Sequence, residues 1–209
     1  GGFGSRPVDN PDTRGAWTPE VTALAATLRE GTGGELPHVA FGGSGAHANE
    51  MAFRAAAELR PGRHAIIAFE GGFHGRTMLA LHTTWNPKKR ERFELDGHQA
   101  RWVPWPTWDQ SAPEPEVEGL AGWDERAEGP RPTPDGADAL LAAEWASLNA
   151  VESALADDGA VAVLMEPMQS EGGERYVTGR FAARLRALAS AHGVPFIMDE
   201  VQTGFGLGG

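Results

Sequence analysis

Two apolar segments of the chain are each followed directly by a carboxylate. Phe196–Met198 precedes Asp199, and Ala160–Met165 precedes Glu166. A carboxylate at the end of a buried strand is unfavourable unless a partner pairs with it, and the carboxyl ends of parallel strands are where α/β proteins bind ligands. Asp199 is therefore either a helix cap or the partner of a cationic ligand group. Glu166 either accepts backbone hydrogen bonds in a tight turn or faces the same crevice as Asp199.

A loop meets a helix at Ser44–His47, and the helix is predicted to run from about Ala46 to Leu59. Ser44 is a favoured residue for capping the start of a helix. The same helix start leaves several backbone N–H groups unpaired and carries partial positive charge, which a phosphate could use. Gly45 would let the backbone approach such an anion closely. A plain cap and a phosphate site both fit these residues.

A second segment, Gly71–Thr77, follows the apolar stretch His64–Phe69. Phe73 could lie flat against a cofactor ring, or it could pack in the core. Arg76 could hold a substrate carboxylate through two hydrogen bonds, or it could form an ion pair on the surface. The residues alone leave these alternatives open.

Composition excludes several classes of function. The formal net charge of −11 argues against a nucleic-acid partner, which would need a basic face. The chain has no cysteine, which excludes disulfides, thiolate metal sites and a cysteine nucleophile. Five of its histidines lack metal-ligand spacing, namely His38, His64, His82, His98 and His192. No apolar stretch reaches about 18 residues, so no membrane-spanning helix is predicted. The absence of cysteine is compatible with a cytoplasmic protein.

Strand-like and helix-like segments alternate along most of the sequence. Strands are predicted at 38–41, 64–69, 160–165 and 194–198, and helices at 18–29, 46–59, 137–156 and 178–192, with a further helix after Arg76. This alternation predicts an α/β fold with a mostly parallel sheet. Residues 1–36 are interpreted as an N-terminal loop and helix that lead into a large domain at 37–209.

The stretch at about 102–138 differs from the rest of the chain. It holds seven of the fifteen prolines and four of the seven tryptophans, together with many acids. This composition predicts a surface insertion, with tryptophans that attach it to the body.

Together with Glu166–Gly173, the segments around Ser44, Gly71 and Asp199 resemble the class III aminotransferases, which are pyridoxal phosphate (PLP) enzymes of fold type I. The four motifs occur in the family's order, and the resemblance runs from about residue 37 to the end, with a gap in the middle. It implies the PLP-binding large domain of fold type I, in incomplete form, with helices flanking a mostly parallel central sheet. It also implies a homodimer in the full-length protein.

The resemblance assigns a cofactor role to several candidates. Gly45 and Ala46 would hold the PLP phosphate, Phe73 would stack on the pyridine ring, and Gln202 would hydrogen-bond the phenolic oxygen. Asp199 would be the catalytic carboxylate beside the pyridine nitrogen. PLP acts as an electron sink only while that nitrogen is protonated, and a buried carboxylate favours its cationic form.

Three further residues take supporting or substrate roles by the same resemblance. Glu166 would support the cofactor site, and Arg76 would anchor a substrate carboxylate. Glu171 resembles the family's gate acid, which pairs with an arginine when no α-carboxylate is present. The chain departs from the family at His47, where an acid is common, and at Ser170, where most members have glycine.

The implied reaction is a ping-pong transfer of an amino group, preferably an ω-amino group, from an amine or diamino acid to a 2-oxo acid such as 2-oxoglutarate. Glu35–His38 and Gly206–Gly209 look like the lysine 6-aminotransferases, while ornithine, acetylornithine and 4-aminobutyrate aminotransferases remain open. The family's Schiff-base lysine lies beyond the last residue, and the only lysines here are Lys88 and Lys89. We therefore expect weak PLP binding and no turnover by this chain alone.

Two alternatives to an aminotransferase remain open. The class III scaffold could host an aminomutase or an amine lyase. The chain could also be a non-catalytic or split subunit, with the lysine supplied by another chain or lost.

Overall fold

The computed structural model describes residues 18–93, 96–113, 115, 123 and 131–205. The predictions for residues 1–16, for the C-terminal residues 206–209 and for most of 114–130 lie outside these described residues. The chain divides into two units, Gly1–Gly43 and Ser44–Gly209. The division predicted from the sequence, at residue 36, stays a prediction.

The first unit contains helix α1, Pro19–Gly31. Thr18 caps it, because its side chain accepts the N–H of Val21 at 3.5 Å. Pro19 occupies the first turn, where its missing N–H has no helical partner to lose. The strand predicted at 38–41 is wrong, since these residues carry no regular secondary structure. The stretch is short and Phe41 is exposed, so burial does not hold it in an extended ladder.

A parallel four-stranded sheet forms the centre of the second unit. Its strands are β1 (Ala65–Phe69), β2 (Gln99–Val103), β3 (Ala160–Met165) and β6 (Phe196–Met198), and they lie in the order β2-β1-β3-β6. Strands β1 and β3 are buried along their whole length, as expected for apolar strands with helices on both faces. The edge strand β2 was not predicted, because its sequence mixes polar and apolar residues and lacks a continuous apolar pattern.

Helices cover both faces of the sheet. The helices in the described part of this unit are α2 (Gly45–Leu59), α3 (Met78–Thr83), α4 (Pro87–Arg90), α5 (Ala139–Leu155) and α6 (Gly179–Ala191). Alternate strand residues point to opposite faces, so Ile67 and Val163 pack into the core with α5 and α6, whereas Ile66 and Leu164 pack with α2 and α3. The helices predicted at 46–59, 137–156 and 178–192 and after residue 76 are confirmed to within a few residues.

The segment that follows β2 is attached to the main core by aromatic side chains. Trp105 and Trp123 are buried, and the ring centroids of Trp123 and Trp145 lie 4.9 Å apart in an edge-to-face contact. Since β2 ends at Val103, the first two residues of the predicted insertion belong to the sheet. The expected attachment through tryptophan is confirmed for Trp105 and Trp123.

A small antiparallel hairpin lies beyond the end of β3. It consists of β4 (Met168–Gln169) and β5 (Arg175–Tyr176). Trp108 extends this hairpin by one bridge, with its N–H donating to the carbonyl oxygen of Tyr176 at 2.8 Å. Within the described residues, no helix has the length and apolar character that crossing a bilayer requires.

Candidate functional site

The strand order reverses direction between β1 and β3. The chain proceeds from β1 to β2 on one side and then returns to β3 on the other side of β1. In open α/β sheets, ligand crevices form at such a reversal, outside the carboxyl ends of the strands. A cavity of about 360 Å³ lies at this edge, within the range of about 300–1,000 Å³ for small-molecule sites.

Residues that follow β1, β3 and β6 line this cavity together with the first turn of α2. All eight predicted site residues are among them: Gly45, Ala46, Phe73, Arg76, Glu166, Glu171, Asp199 and Gln202. The lining also includes four residues to which no site role was assigned from the sequence: His74, Gly75, Ser170 and Val201. The structure therefore brings the four sequence motifs to one place.

The register of β3 and β6 places the two buried acids side by side. Met165 pairs with Met198 in this parallel ladder, and the next residue in each strand is an acid, Glu166 or Asp199. Pro167 follows Glu166 and cannot donate to a ladder, so the strand ends there. Glu166 and Asp199 are each only 6% exposed.

Three protein donors surround the carboxylate of Asp199. Its Oδ2 accepts from Asn49 Nδ2 at 2.9 Å and lies 2.8 Å from His74 Nδ1, while Oδ1 accepts the N–H of Val201 at 3.2 Å. An ionised carboxylate can only accept, so a hydrogen bond to it in this contact requires the His74 tautomer with the proton on Nδ1. Oδ1 keeps capacity for a further donor. Oδ1 could therefore accept both the N–H of Val201 and a donor from a ligand.

Asn49 and His74 are the buried partners that the sequence analysis missed. Asn49 lies four residues after Gly45, so both face the same side of α2. Its amide also donates to the carbonyl oxygen of His74 at 2.8 Å. A polar residue on the otherwise apolar buried face of α2 is the one signal that could have indicated Asn49.

Glu166 connects the end of β3 to the segment after β1. Its Oε2 accepts the N–H of Phe73 at 3.1 Å, which is the backbone contact considered from the sequence. The pKa of Glu166 is raised to about 8, chiefly by burial and to a smaller extent by the nearby Asp199 carboxylate, while the Phe73 N–H and Arg175 act in the opposite direction. The residue holds the turn and also lines the cavity.

The start of α2 is capped and still leaves donors available. The side chain of Ser44 accepts the N–H of His47 at 3.1 Å, and the Ser44 carbonyl accepts from Ala48 at 2.9 Å. The cap interpretation is therefore confirmed. Gly45 and Ala46 lie in the first turn of α2, where no carbonyl oxygen of the preceding turn is available. Their N–H groups therefore have no hydrogen-bond partner within the helix.

Close contact with Val201 explains why residue 45 is glycine. A Cβ atom built on Gly45 would lie 2.5 Å from Cγ2 and 2.8 Å from Cγ1 of Val201. A larger residue would therefore push Val201, which itself lines the cavity. This glycine keeps the helix start and the segment after Asp199 in contact.

The outer part of the cavity carries exposed charges. Arg76 has no ion pair with any residue that the structure describes, whereas Glu171 Oε2 accepts from Lys89 Nζ at 2.6 Å. Glu50 fixes the backbone next to Arg76, because its Oε1 accepts from Thr77 Oγ1 at 2.7 Å and from the N–H of Leu79 at 2.9 Å.

Among the described residues, no group of three or more histidines and acids has the arrangement of a metal site.

The second unit is thus a parallel α/β fold with a cavity at the switch point of its sheet. The family model described as "Aminotransferase class-III" matches residues 13–209. This chain therefore belongs to the class III aminotransferase family.

Curated relatives of the chain are named as aminotransferases. The chain is 35% identical over 182 residues to "Acetylornithine aminotransferase" of Methanopyrus kandleri, and this match covers 87% of this chain and 36% of that protein. It is 35% identical over 172 residues to "Acetylornithine aminotransferase 2" of Bordetella pertussis, and this match covers 80% of this chain and 33% of that protein. The chain thus spans about a third of the length of the curated relatives it matches.

Solved structures agree on the fold. The lysine aminotransferase from M. tuberculosis superimposes with a TM-score of 0.69 at 24% identity, over 90% of this chain and 41% of that one. An amine transaminase from an uncultivated Pseudomonas species gives 0.68 at 24% identity, over 92% and 40%. The predicted fold type I large domain, with its parallel sheet flanked by helices, is confirmed.

Proposed function

We propose that this chain forms part of the PLP site of an aminotransferase that moves an ω-amino group from an amine or diamino acid to a 2-oxo acid such as 2-oxoglutarate. The observation that carries the proposal is the convergence of four separate motifs on one cavity, with a buried carboxylate at its inner end. Family membership supports amino-group transfer. The relatives named for acetylornithine and lysine support a diamino acid or its derivative as the donor.

The residues present fit PLP. A phosphate would lie at the start of α2, where the N–H groups of Gly45 and Ala46 could donate to it. Because Gly45 has no Cβ atom, Val201 can remain in its position against the helix start. Phe73 would lie against the ring, and Gln202 would donate to the phenolic oxygen. The cavity of about 360 Å³ is large enough for a ligand of this class.

Asp199 would act on the ring nitrogen. PLP, when bound, supplies an electron sink for the substrate carbon beside the transferred nitrogen, provided that its ring nitrogen is protonated. The Asp199 carboxylate favours that proton, because an anion in a buried site stabilises a neighbouring cation. His74 and Asn49 occupy Oδ2 and leave Oδ1 with acceptor capacity.

The substrate would meet the outer part of the cavity. Arg76 would hold a carboxylate through two hydrogen bonds, since its guanidinium has no ion pair within the described part of the chain. Glu171 lies across the same opening and would discriminate between substrates by its charge. Glu166 would support the cofactor segment through its bond to the Phe73 N–H.

Neither lysine of the chain lines the cavity. Lys88 is exposed, and the ammonium of Lys89 pairs with Glu171. We therefore propose that the Schiff-base lysine comes from another part of the full-length protein or from a partner chain, and that this chain alone does not turn over. A cytoplasmic homodimer belongs to the same proposal.

A PLP titration followed by visible absorbance tests the site, with borohydride reduction and mass analysis of the product. We expect saturable binding without a reduced adduct. Gly45→Ala should bind about tenfold more weakly, because overpacking costs about 1–3 kcal/mol, and adding Val201→Ala should restore affinity. Gly31→Ala is the matched control, since a Cβ there meets nothing within 4 Å.

Three results would overturn the proposal. They are the absence of saturable binding by the unaltered chain, equal affinity in the Gly45→Ala variant, and a reduced adduct on Lys89. Melting temperatures of all variants establish that each one is folded.

A further inference from the structure

Lys89 is held at the rim of the cavity by two contacts. Its Nζ donates to Oε2 of Glu171 at 2.6 Å and lies 4.4 Å from the ring centroid of Phe73. Both partners line the cavity. The two contacts come from segments that follow different strands, so Lys89 connects the turn that carries Glu171 with the segment that carries Phe73.

The backbone that carries Lys89 is itself fixed. Asn86 caps α4, because its Oδ1 accepts the N–H of Lys88 at 3.0 Å, and the N–H of Lys89 donates to the carbonyl oxygen of Asn86 at 3.1 Å. Lys88, the preceding residue, is exposed. The chain thus offers two adjacent lysines, of which one contacts the cavity lining.

The charges around the cavity determine how the pairing of Lys89 with Glu171 would affect an anionic ligand. Asp199 is already surrounded by donors at the inner end, and Arg76 is a cation with no ion pair among the described residues. Glu171 is the acid at the opening. Its negative charge would repel a ligand carboxylate that approaches Arg76, unless a cation neutralises it.

We propose that Lys89 determines specificity at this site: by pairing with Glu171, it removes negative charge from the opening and allows a carboxylate-bearing ligand to reach Arg76. The inference rests on the proposed function, because it concerns the substrate of the same cavity. The ligand class is an anionic oxo acid, which is the amino acceptor in the proposed reaction.

The strength of the ion pair between Lys89 and Glu171 should depend on the salt concentration. The side chains of Lys89 and Glu171 are 29% and 49% exposed, so salt screens their interaction more than it screens a buried pair. Binding of an anionic ligand should therefore depend on salt through this pair as well as through Arg76. The contact with Phe73 holds the ammonium near the opening when the pair separates.

The test is calorimetric binding of glutarate, an unreactive dicarboxylate, to the chain saturated with PLP. Lys89→Met should weaken glutarate binding about fivefold, the size expected for a partly exposed charge. Lys88→Met is the matched control and should change it less than about twofold. Lys89→Arg keeps the positive charge and should retain affinity.

The double variant Lys89→Met with Glu171→Gln separates the charge effect from a structural one. If Lys89 acts by neutralising Glu171, removing both charges should restore glutarate binding. If Lys89 only supports Phe73, the double variant should stay as weak as Lys89→Met, and the inference is overturned. Unchanged glutarate affinity in Lys89→Met also overturns it, whereas failure of the unaltered chain to bind PLP overturns the proposed function and this inference together.

Discussion

The inner end of the cavity and its rim hold their carboxylates in different ways. At the inner end, Asp199 is buried and accepts three hydrogen bonds from side chains and backbone. At the rim, Glu171 is paired with the single flexible side chain of Lys89, and both are partly exposed. The inner carboxylate has one defined position, whereas the outer carboxylate can exchange its partner for a ligand or for water.

This difference has an energetic counterpart. Removing one partner of a buried charge pair is strongly destabilising, by about 3–5 kcal/mol, whereas an exposed pair contributes about 0.2–1 kcal/mol. A site that must bind a cofactor in one orientation needs the first arrangement. A site that must accept substrates of different charge is better served by the second.

The largest effect is expected at the inner end, from Asp199→Asn. The substitution keeps the shape of the side chain and removes the charge that would face the ring nitrogen. We expect PLP to bind about 100-fold more weakly, since hydrogen bonds to charged groups contribute about 1.5–3 kcal/mol. Absorbance titration measures the change.

Asp157→Asn is the matched control for this prediction. Asp157 pairs with Arg101 at 2.6 Å, but its side chain is 60% exposed. The same chemical change there should leave PLP affinity within about twofold of the unaltered chain. Equal losses in the two variants would mean that the inner end has no special hold on the cofactor.

Sequence patterns were sufficient for the central strands and for the candidate residues at their ends. Strands β1 and β3 are continuous apolar segments, and the acids that follow β3 and β6 stand out because burying a carboxylate is unfavourable. The edge strand β2 has no such pattern, and the predicted strand at 38–41 did not form. A local pattern is informative only where burial on both faces reinforces it.

Partners brought together by the fold were not predictable. His74 and Asn49 lie 125 and 150 residues from Asp199 along the chain, and Lys89 lies 82 residues from Glu171. Each of these contacts depends on the order of the strands in the sheet. Local sequence patterns do not determine that order. The sequence therefore indicated which residues line the cavity, but not which neighbours hold them in place.

The second prediction concerns pH and Glu166. Burial raises the pKa of this carboxyl from its usual 4.5 to about 8. Between these values the folded chain retains a proton that the unfolded chain has released, so the free energy of unfolding falls as pH rises. The fall from this group is at most about 1.4 kcal/mol per pH unit.

Urea unfolding at several pH values between 5 and 8, without PLP, checks this prediction. Glu166→Gln cannot ionise and should show a flatter dependence. Burial also raises the pKa of Glu144, so part of the slope should persist in the variant. Identical slopes in the variant and the unaltered chain would show that Glu166 does not hold its proton in this window.

The smallest effect is expected at the rim, from the backbone bond between Trp108 and Tyr176. This bond attaches the segment after β2 to the hairpin whose turn carries Ser170 and Glu171. Trp108→Pro removes the donor, whereas Trp108→Ala removes the indole and keeps the N–H. We expect hydrogen exchange of residues 168–176 to accelerate in the proline variant beyond the alanine variant, by about the worth of one hydrogen bond, about 1 kcal/mol. PLP affinity should stay unchanged in both variants, because the inner end does not depend on this bond. Equal exchange in the two variants would show that the segment after β2 supports the rim through its indole, or not at all.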